Sequence, residues 1–303
     1  MSITRRKFIQ QTAITVAGIA LLSRTSFAMG KANTLTGVQL YSVREEMNKD
    51  ALGTLKQVAK MGYRHVEHAN YIDRKFYGYG AKEFKKILDD LALKMPSGHT
   101  VLNGTHWDET KKDFTDKWKY TIEDAAVLQQ QFVISPSLPE EWRKEQDTLK
   151  RYMDVFNKSG ELCRKSGMKF GYHNHDFEFR EKFSDGTTVY DVILQNTDPN
   201  LVMQQLDIGN MFSGGGKALD IIQKYPGRFP SLHVKDEIAA PGSEHGYESA
   251  LLGTGIIGVK EVLEQSIKSG GAIHLIIEQE SYQGKSPLQS IQENLKIMQK
   301  WGY

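Results

Sequence analysis

The sequence predicts a single closed (β/α)8 barrel. Eight short apolar runs alternate with eight amphipathic stretches, turn residues separate most helices from the next strand, and four late runs each end on His, Asp or Glu. Alternation of strand-like and helical patterns implies a parallel sheet. Eight units with no break in composition favour closure into a barrel over an open doubly wound sheet. No Gly-x-Gly-x-x-Gly follows the first run, which weighs against a dinucleotide fold.

Taken in order from Thr34, the first strand is expected at 36–41 and its helix at 48–61, ended by Met61-Gly62. The second pair falls at 64–69 and 81–92, and the third at 94–99 and 113–129. The fourth strand, 131–136, precedes a helix at 142–166 that Ser166-Gly167 closes. The fifth pair is 168–175 and 187–196, before Asp198-Pro199, and the sixth is 201–208 and 217–225, before Pro226-Gly227. The seventh strand, 229–234, leads to a helix at 258–269 and then Gly270-Gly271. The eighth, 272–279, is followed by a helix at 287–301.

Residues 1–28 stand outside this pattern. Thr4-Arg-Arg-Lys-Phe-Ile-Gln10, an apolar run from Thr12 to Leu22 and the small-residue stretch Ser26-Phe-Ala28 resemble a twin-arginine export signal cleaved after Ala28. The run is short of the ~20 residues a membrane span needs, so no lasting membrane association is expected. The expected organisation is a signal at 1–28, a barrel at 29–303 and a periplasmic mature protein. Removing Arg5, Arg6, Lys7 and Arg24 leaves 35 bases against 37 acids, net −2. That charge, without basic runs, argues against nucleic acid as a partner. Cys163 is the only cysteine, so neither an intramolecular disulfide nor a thiolate zinc site can form. Oligomeric state is not readable, since no helix shows a second apolar stripe.

The chemistry lies in Gly171-Tyr-His-Asn-His-Asp-Phe-Glu178, Gln205-Leu-Asp-Ile-Gly-Asn210, Ser231-Leu-His-Val-Lys-Asp236 and Leu275-Ile-Ile-Glu-Gln-Glu280. Strand ends of a barrel converge on one mouth, so Asp207, His233 and Glu278 become neighbours there. Two carboxylates and an imidazole without thiolates suit Mn²⁺, Mg²⁺, Co²⁺ or Zn²⁺. The fifth strand has to supply a fourth ligand. His173 and His175 share one face by alternation and Glu178 lies just beyond. His173 and Glu178 are both candidates; a third carboxylate suits a hard ion better, so Glu178 is preferred to His173 as the ligand, and His173 or His175 would then contact substrate. Gln39, Glu67 and His99, at strand ends of the first half, are expected to line a sugar pocket with Lys235 and Asn210.

These segments resemble the xylose isomerase-like TIM-barrel superfamily, in its sugar phosphate isomerase/epimerase branch, over about residues 34–302. The resemblance implies one divalent cation, Mn²⁺ first, held by an acid of strand five with Asp207, His233 and Glu278. It also implies enediolate chemistry on a ketose, keto-sugar or keto-glycoside, giving isomerisation or epimerisation. In that reading Glu278 is both ligand and base, Glu178 is the facing acid/base, and His175 is a further proton-transfer candidate. Many relatives carry Glu where this chain has His173. A second reading is a lyase, as in inosose dehydratase-like members that share the strand-five His-x-His; a third is a non-catalytic periplasmic sugar-binding protein. The DNA-cutting endonuclease IV branch needs more strand-end histidines than Gln39, Glu67 and His99 provide.

Overall fold

The computed structural model describes residues 33–243 and 245–303; the expected export signal lies outside them. Eight parallel strands close into a barrel: β1 Leu35–Gln39, β2 His65–His68, β3 Lys94–His99, β4 Phe132–Ser135, β5 Lys169–His173, β6 Val202–Asp207, β7 Ser231–Val234 and β8 His274–Ile277. Each pairs with its sequence neighbours, and β1 closes on β8 through Leu35↔His274 to Val38↔Ile277. Every strand lies within its expected span except β1, which begins one residue early at Leu35. Among the described residues no helix is long and apolar enough to cross a membrane.

Why these runs become strands follows from what each face buries. Val38, Val66, Phe170, Val202, Leu232, Leu275 and Ile277 point outward into two apolar clusters shared with the helix layer. Inside the barrel the apolar fill is small, with Phe132, Ile134 and Met203 near the entry ends of the strands. Above them the inward residues turn polar, and Gln39, Glu67, Ser97, Gln205, Asp207, Ser231 and His233 are all fully buried. The strands approach closely there: a Cβ on Gly98 would fall 1.9 Å from the His68 ring.

The helices return where expected, with three adjustments. Arg44–Lys49 and Ala51–Met61 are separate helices, because the Asp50 side chain accepts from Gly53 N at 2.8 Å and starts the second. The fourth helix is divided into Glu140–Arg143 and Gln146–Lys165. Residues 113–114, expected to open a helix, instead pair with Trp107–Asp108 in a hairpin. Two further small sheets rise above the barrel mouth: Tyr71–Ile72 with Lys75–Phe76 and Tyr79–Gly80, and Asp236–Ala239 with Tyr247–Ala250. The two-residue strands of the first of these show no periodicity, so the sequence hides them.

Candidate metal centre and active site

Strand register assembles the site. Gln39 sits beside Glu67, Glu67 beside Ser97, His173 beside Gln205, and Asp207 beside His233. Asn174 locks the ends of β5 and β6 together, giving its amide to Asp207 O at 3.1 Å and receiving Asp207 N at 3.0 Å. Asp207 also caps the helix Ile208–Ser213 by accepting from Asn210 N at 2.7 Å. One carboxylate oxygen is thereby committed to the backbone and the other is left facing the barrel axis.

Among the described residues, two groups present ligand atoms within 4.8 Å of one another, Asp207 with His233 and Glu278, and His99 with His173 and His233. All five are buried. Asp207 Oδ2 accepts no well-formed hydrogen bond, although Lys235 Nζ lies 3.1 Å away. A buried carboxylate oxygen in that condition, among imidazoles and a second carboxylate, fits a divalent cation. His173 joins the set through its tautomer. Gln205 gives its amide hydrogens to Glu67 Oε2 at 2.9 Å and Ser231 Oγ at 3.0 Å, so its oxygen accepts from His173 Nδ1 at 3.0 Å. The lone pair of His173 is then on Nε2, 4.0 Å from Asp207 Oδ2. Burial and the neighbouring imidazoles of His233 and His99 keep that ring neutral.

Glu178, expected as the fourth ligand, is placed elsewhere. It lies on the short helix Phe177–Arg180, which turns its carboxylate behind β5. There it accepts from the Tyr172 hydroxyl and from His175 N at 2.9 Å, and Tyr172 belongs to the core under the helices. The alternation that sends His173 inward sends Tyr172, and with it Glu178, outward. Burial raises the Glu178 carboxyl to about 7.

Gln39 and Glu67 also depart from their expected role, since they lie beneath the cavity floor. Gln39 donates to Glu67 Oε1 at 2.8 Å, Ser97 donates to Glu67 Oε2, and His233 Nε2 lies 2.6 Å from Glu67 Oε1. Burial would raise the Glu67 carboxyl, but His99 and His233 outweigh it and hold it well below the usual range. His233 Nδ1 is 3.0 Å from Glu278 Oε2, so its ring stands between two carboxylates. Burial opposes its charge, yet Glu278 and Glu67 raise it to about 10. Asp207 is raised by burial, while Lys235 and His233 keep Glu278 low despite its burial.

A cavity of about 1150 Å³ opens over this floor, lined among others by His99, His173, His175, Asn210, Lys235 and Glu278. Lys235 is 1 % exposed, and its Nζ meets Glu278 at 2.9 Å, Glu280 at 2.5 Å and Asn210 Oδ1 at 3.2 Å. Sequence reasoning missed two contributors. Gln205 carries no chemistry of its own and shows only as an inward polar residue of a buried strand. Glu237, next after the Asp236 that takes four backbone N–H groups, is 5 % exposed and lines the cavity. Burial lifts its carboxyl to about 8 against the pull of Lys235. His175 is moved the opposite way, to about 4, by burial and Lys235, and its Nδ1 has no hydrogen-bond partner.

Known proteins share this fold. Residues 55–301 match the family model described as xylose isomerase-like TIM barrel. A sugar phosphate isomerase/epimerase structure from Parabacteroides distasonis is 26% identical, with a TM-score of 0.73, covering 88% of this chain and 94% of that one. An inosose dehydratase of Clostridium perfringens is 25% identical over 194 residues, 60% of this chain and 62% of its own. The chain thus spans about three-fifths of the length of the first curated relatives it matches. The structure of the IOLI protein with a bound zinc atom shares the fold at 14% identity and a TM-score of 0.67, over 88% of this chain and 98% of that one.

Proposed function

This chain belongs to the xylose isomerase-like TIM-barrel family, and from that premise we propose that it is a divalent-metal-dependent enzyme that enolises a ketose, keto-sugar or keto-glycoside, giving isomerisation or epimerisation. The observation that carries the reading is the buried set of His173, Asp207, His233 and Glu278 at the floor of a large cavity. A divalent cation held there, Mn²⁺ before Mg²⁺, Co²⁺ or Zn²⁺, would polarise a carbonyl and make the adjacent C–H more acidic.

The chain's own groups divide the proton work. Glu278, beside His233, Lys235 and Asp207, serves as a ligand. His175, which lines the cavity and is neutral above about pH 4, takes the proton beside the carbonyl. Glu237, protonated near neutrality, returns one. Two titratable groups pushed in opposite directions within one cavity make such an assignment. Lys235 and Asn210, joined at 3.2 Å, hold substrate hydroxyls.

A second reading, a lyase or dehydratase, draws on the same protonated Glu237, which can protonate a departing oxygen, and on the likeness to inosose dehydratases. We further propose export by the twin-arginine route on the motif at residues 4–10; cell fractionation tests it, and a cytoplasmic mature protein would refute it.

The test is metal analysis with proton exchange, incubating the protein with Mn²⁺ and a panel of ketoses and keto-glycosides in deuterated water. About one bound metal with deuterium entering beside a carbonyl is expected, and Asp207→Asn should lose both while staying folded. An Asp207→Asn variant with full activity would refute the site. A β-eliminated product would select the lyase reading.

A further inference from the structure

The ligand set comes from β5 to β8, and the other half of the mouth has a different character. Tyr41, Ile72, Val101 and Tyr120 line the same cavity and are 42%, 63%, 37% and 39% exposed. Only Ile256 and Ile273 join them among the large apolar side chains left exposed in the described residues, so this surface is concentrated on one rim. Exposed apolar groups gathered in a concave site mark binding.

The rim is held in place at a cost. Ile72 precedes a two-residue turn whose members, Asp73 and Arg74, have φ of 48° and 63°, unfavourable for side-chain-bearing residues. Asp124 secures that turn, accepting from Arg74 at 2.8 and 3.0 Å and from the Tyr71 hydroxyl at 2.7 Å. The Arg74 guanidinium lies 4.2 Å over the Tyr120 ring, and Arg44 lies 4.7 Å over Tyr41. Each tyrosine is thus steadied from one side while part of it still forms cavity wall. A single sugar ring at the metal centre would leave much of the 1150 Å³ unfilled, since cavities of about 300–1,000 Å³ take drug-sized ligands.

We propose that this rim is an outer subsite for a second ring with an apolar face, linked to the sugar whose carbonyl reaches the metal centre, so that the substrate is a glycoside. The inference rests on the sugar reading above. A further pyranose and an aromatic aglycone offer the same stacking face to Tyr120 and Ile72.

Calorimetry of the Mn²⁺-loaded protein with methyl β-D-glucopyranoside, phenyl β-D-glucopyranoside and cellobiose tests it. At least one two-ring probe should bind about tenfold tighter than the methyl glycoside, and which one does so identifies the second ring. Ile72→Ser with Tyr120→Ser should reduce that preference to about threefold or less without changing binding of the methyl glycoside. The single variant Ile72→Ser, at a site 63% exposed, should lower it part of the way without disturbing the fold. Absence of a preference in the wild type, whether all probes bind alike or none binds, overturns the subsite, as does a preference unchanged in the double variant. Deuterium exchange into a small ketose reports on the catalytic reading separately: it should persist in the double variant, and its absence from the wild type would refute catalysis while leaving the binding comparison to decide the subsite.

Discussion

Glu67 Oε1 lies 2.6 Å from His233 Nε2 across the barrel interior, joining β2 to β7 beneath the cavity floor. The other ring nitrogen, Nδ1, faces Glu278 and is 3.8 Å from Asp207 Oδ2. With a cation on the Nδ1 side, Glu67 accepts the remaining N–H, an arrangement that fixes the tautomer of a ligating histidine and raises its basicity. The residue expected from sequence to touch substrate lies instead behind His233, where it would orient that ring toward a cation.

Metal binding should therefore release a proton. Without a cation the His233 ring is charged below its raised value of about 10, and only the neutral ring coordinates. Affinity for Mn²⁺ should rise about tenfold per pH unit from pH 7 to 9, with about one proton released. Titration calorimetry in buffers of different ionisation enthalpy measures both. Affinity flat over that interval would contradict a charged His233.

Glu67→Gln separates proton competition from orientation. Losing one carboxylate lowers His233, so the rise of affinity with pH should level off earlier than in the wild type. On the alkaline plateau, where protons no longer compete, affinity should still be about 10- to 100-fold weaker for want of the orienting acceptor. A plateau equal to the wild type's would show that Glu67 does not position the ligand.

His173→Ala and Glu178→Gln distinguish the two candidates for the strand-five ligand. The geometry predicts that the histidine variant loses at least about tenfold in metal affinity, while the glutamine variant keeps its metal. The reverse result would restore Glu178 as a ligand and require the turn at Phe177–Arg180 to rearrange.

Glu178 should instead register in stability. Its carboxyl is raised by burial to about 7, so the folded state keeps a proton that the unfolded chain loses above about 4.5. The folded chain then binds more protons than the unfolded one, and stability falls as pH rises from about 4.5 to 7, by about 3 kcal/mol, and levels off above. Denaturant unfolding of the wild type and Glu178→Gln across that range should show this contribution as the difference between their slopes, since Glu237, Asp207 and the buried histidines titrate alike in both.

The ease of reading this chain differs between backbone and site for physical reasons. Runs such as Phe132-Val-Ile134 and Leu275-Ile-Ile277 are buried on both faces, so burial itself writes a continuous apolar signal there and such strands are legible. Asp207, His233 and Glu278 are legible because each ends such a run at one mouth. Glu178 misled because charge type favoured it, and only the turn of Phe177–Arg180 shows which side of β5 it occupies. The Gln205 network and the Tyr71–Gly80 hairpin are set by contacts between residues far apart in sequence, such as Arg74 with Asp124, and leave no periodic trace.

The opposite displacements of His175 and Glu237 predict the pH profile. His175 is lowered to about 4 by burial and Lys235, and it acts as a base only when unprotonated, so kcat/KM at saturating metal should rise through about pH 4. Glu237 is raised to about 8 by burial, with Asp207 and Glu280 opposing the pull of Lys235, and it donates only when protonated. The rate should then fall through about pH 8, leaving a plateau between the two limbs. Glu237→Gln should abolish the alkaline limb and lower kcat by about 10²- to 10⁴-fold, the range for loss of a general acid. Saturating metal keeps the titration of His233 out of the acid limb. An alkaline limb that survives Glu237→Gln would assign the donor to another group, with Lys235, 2.9 Å from Glu278, the next to test.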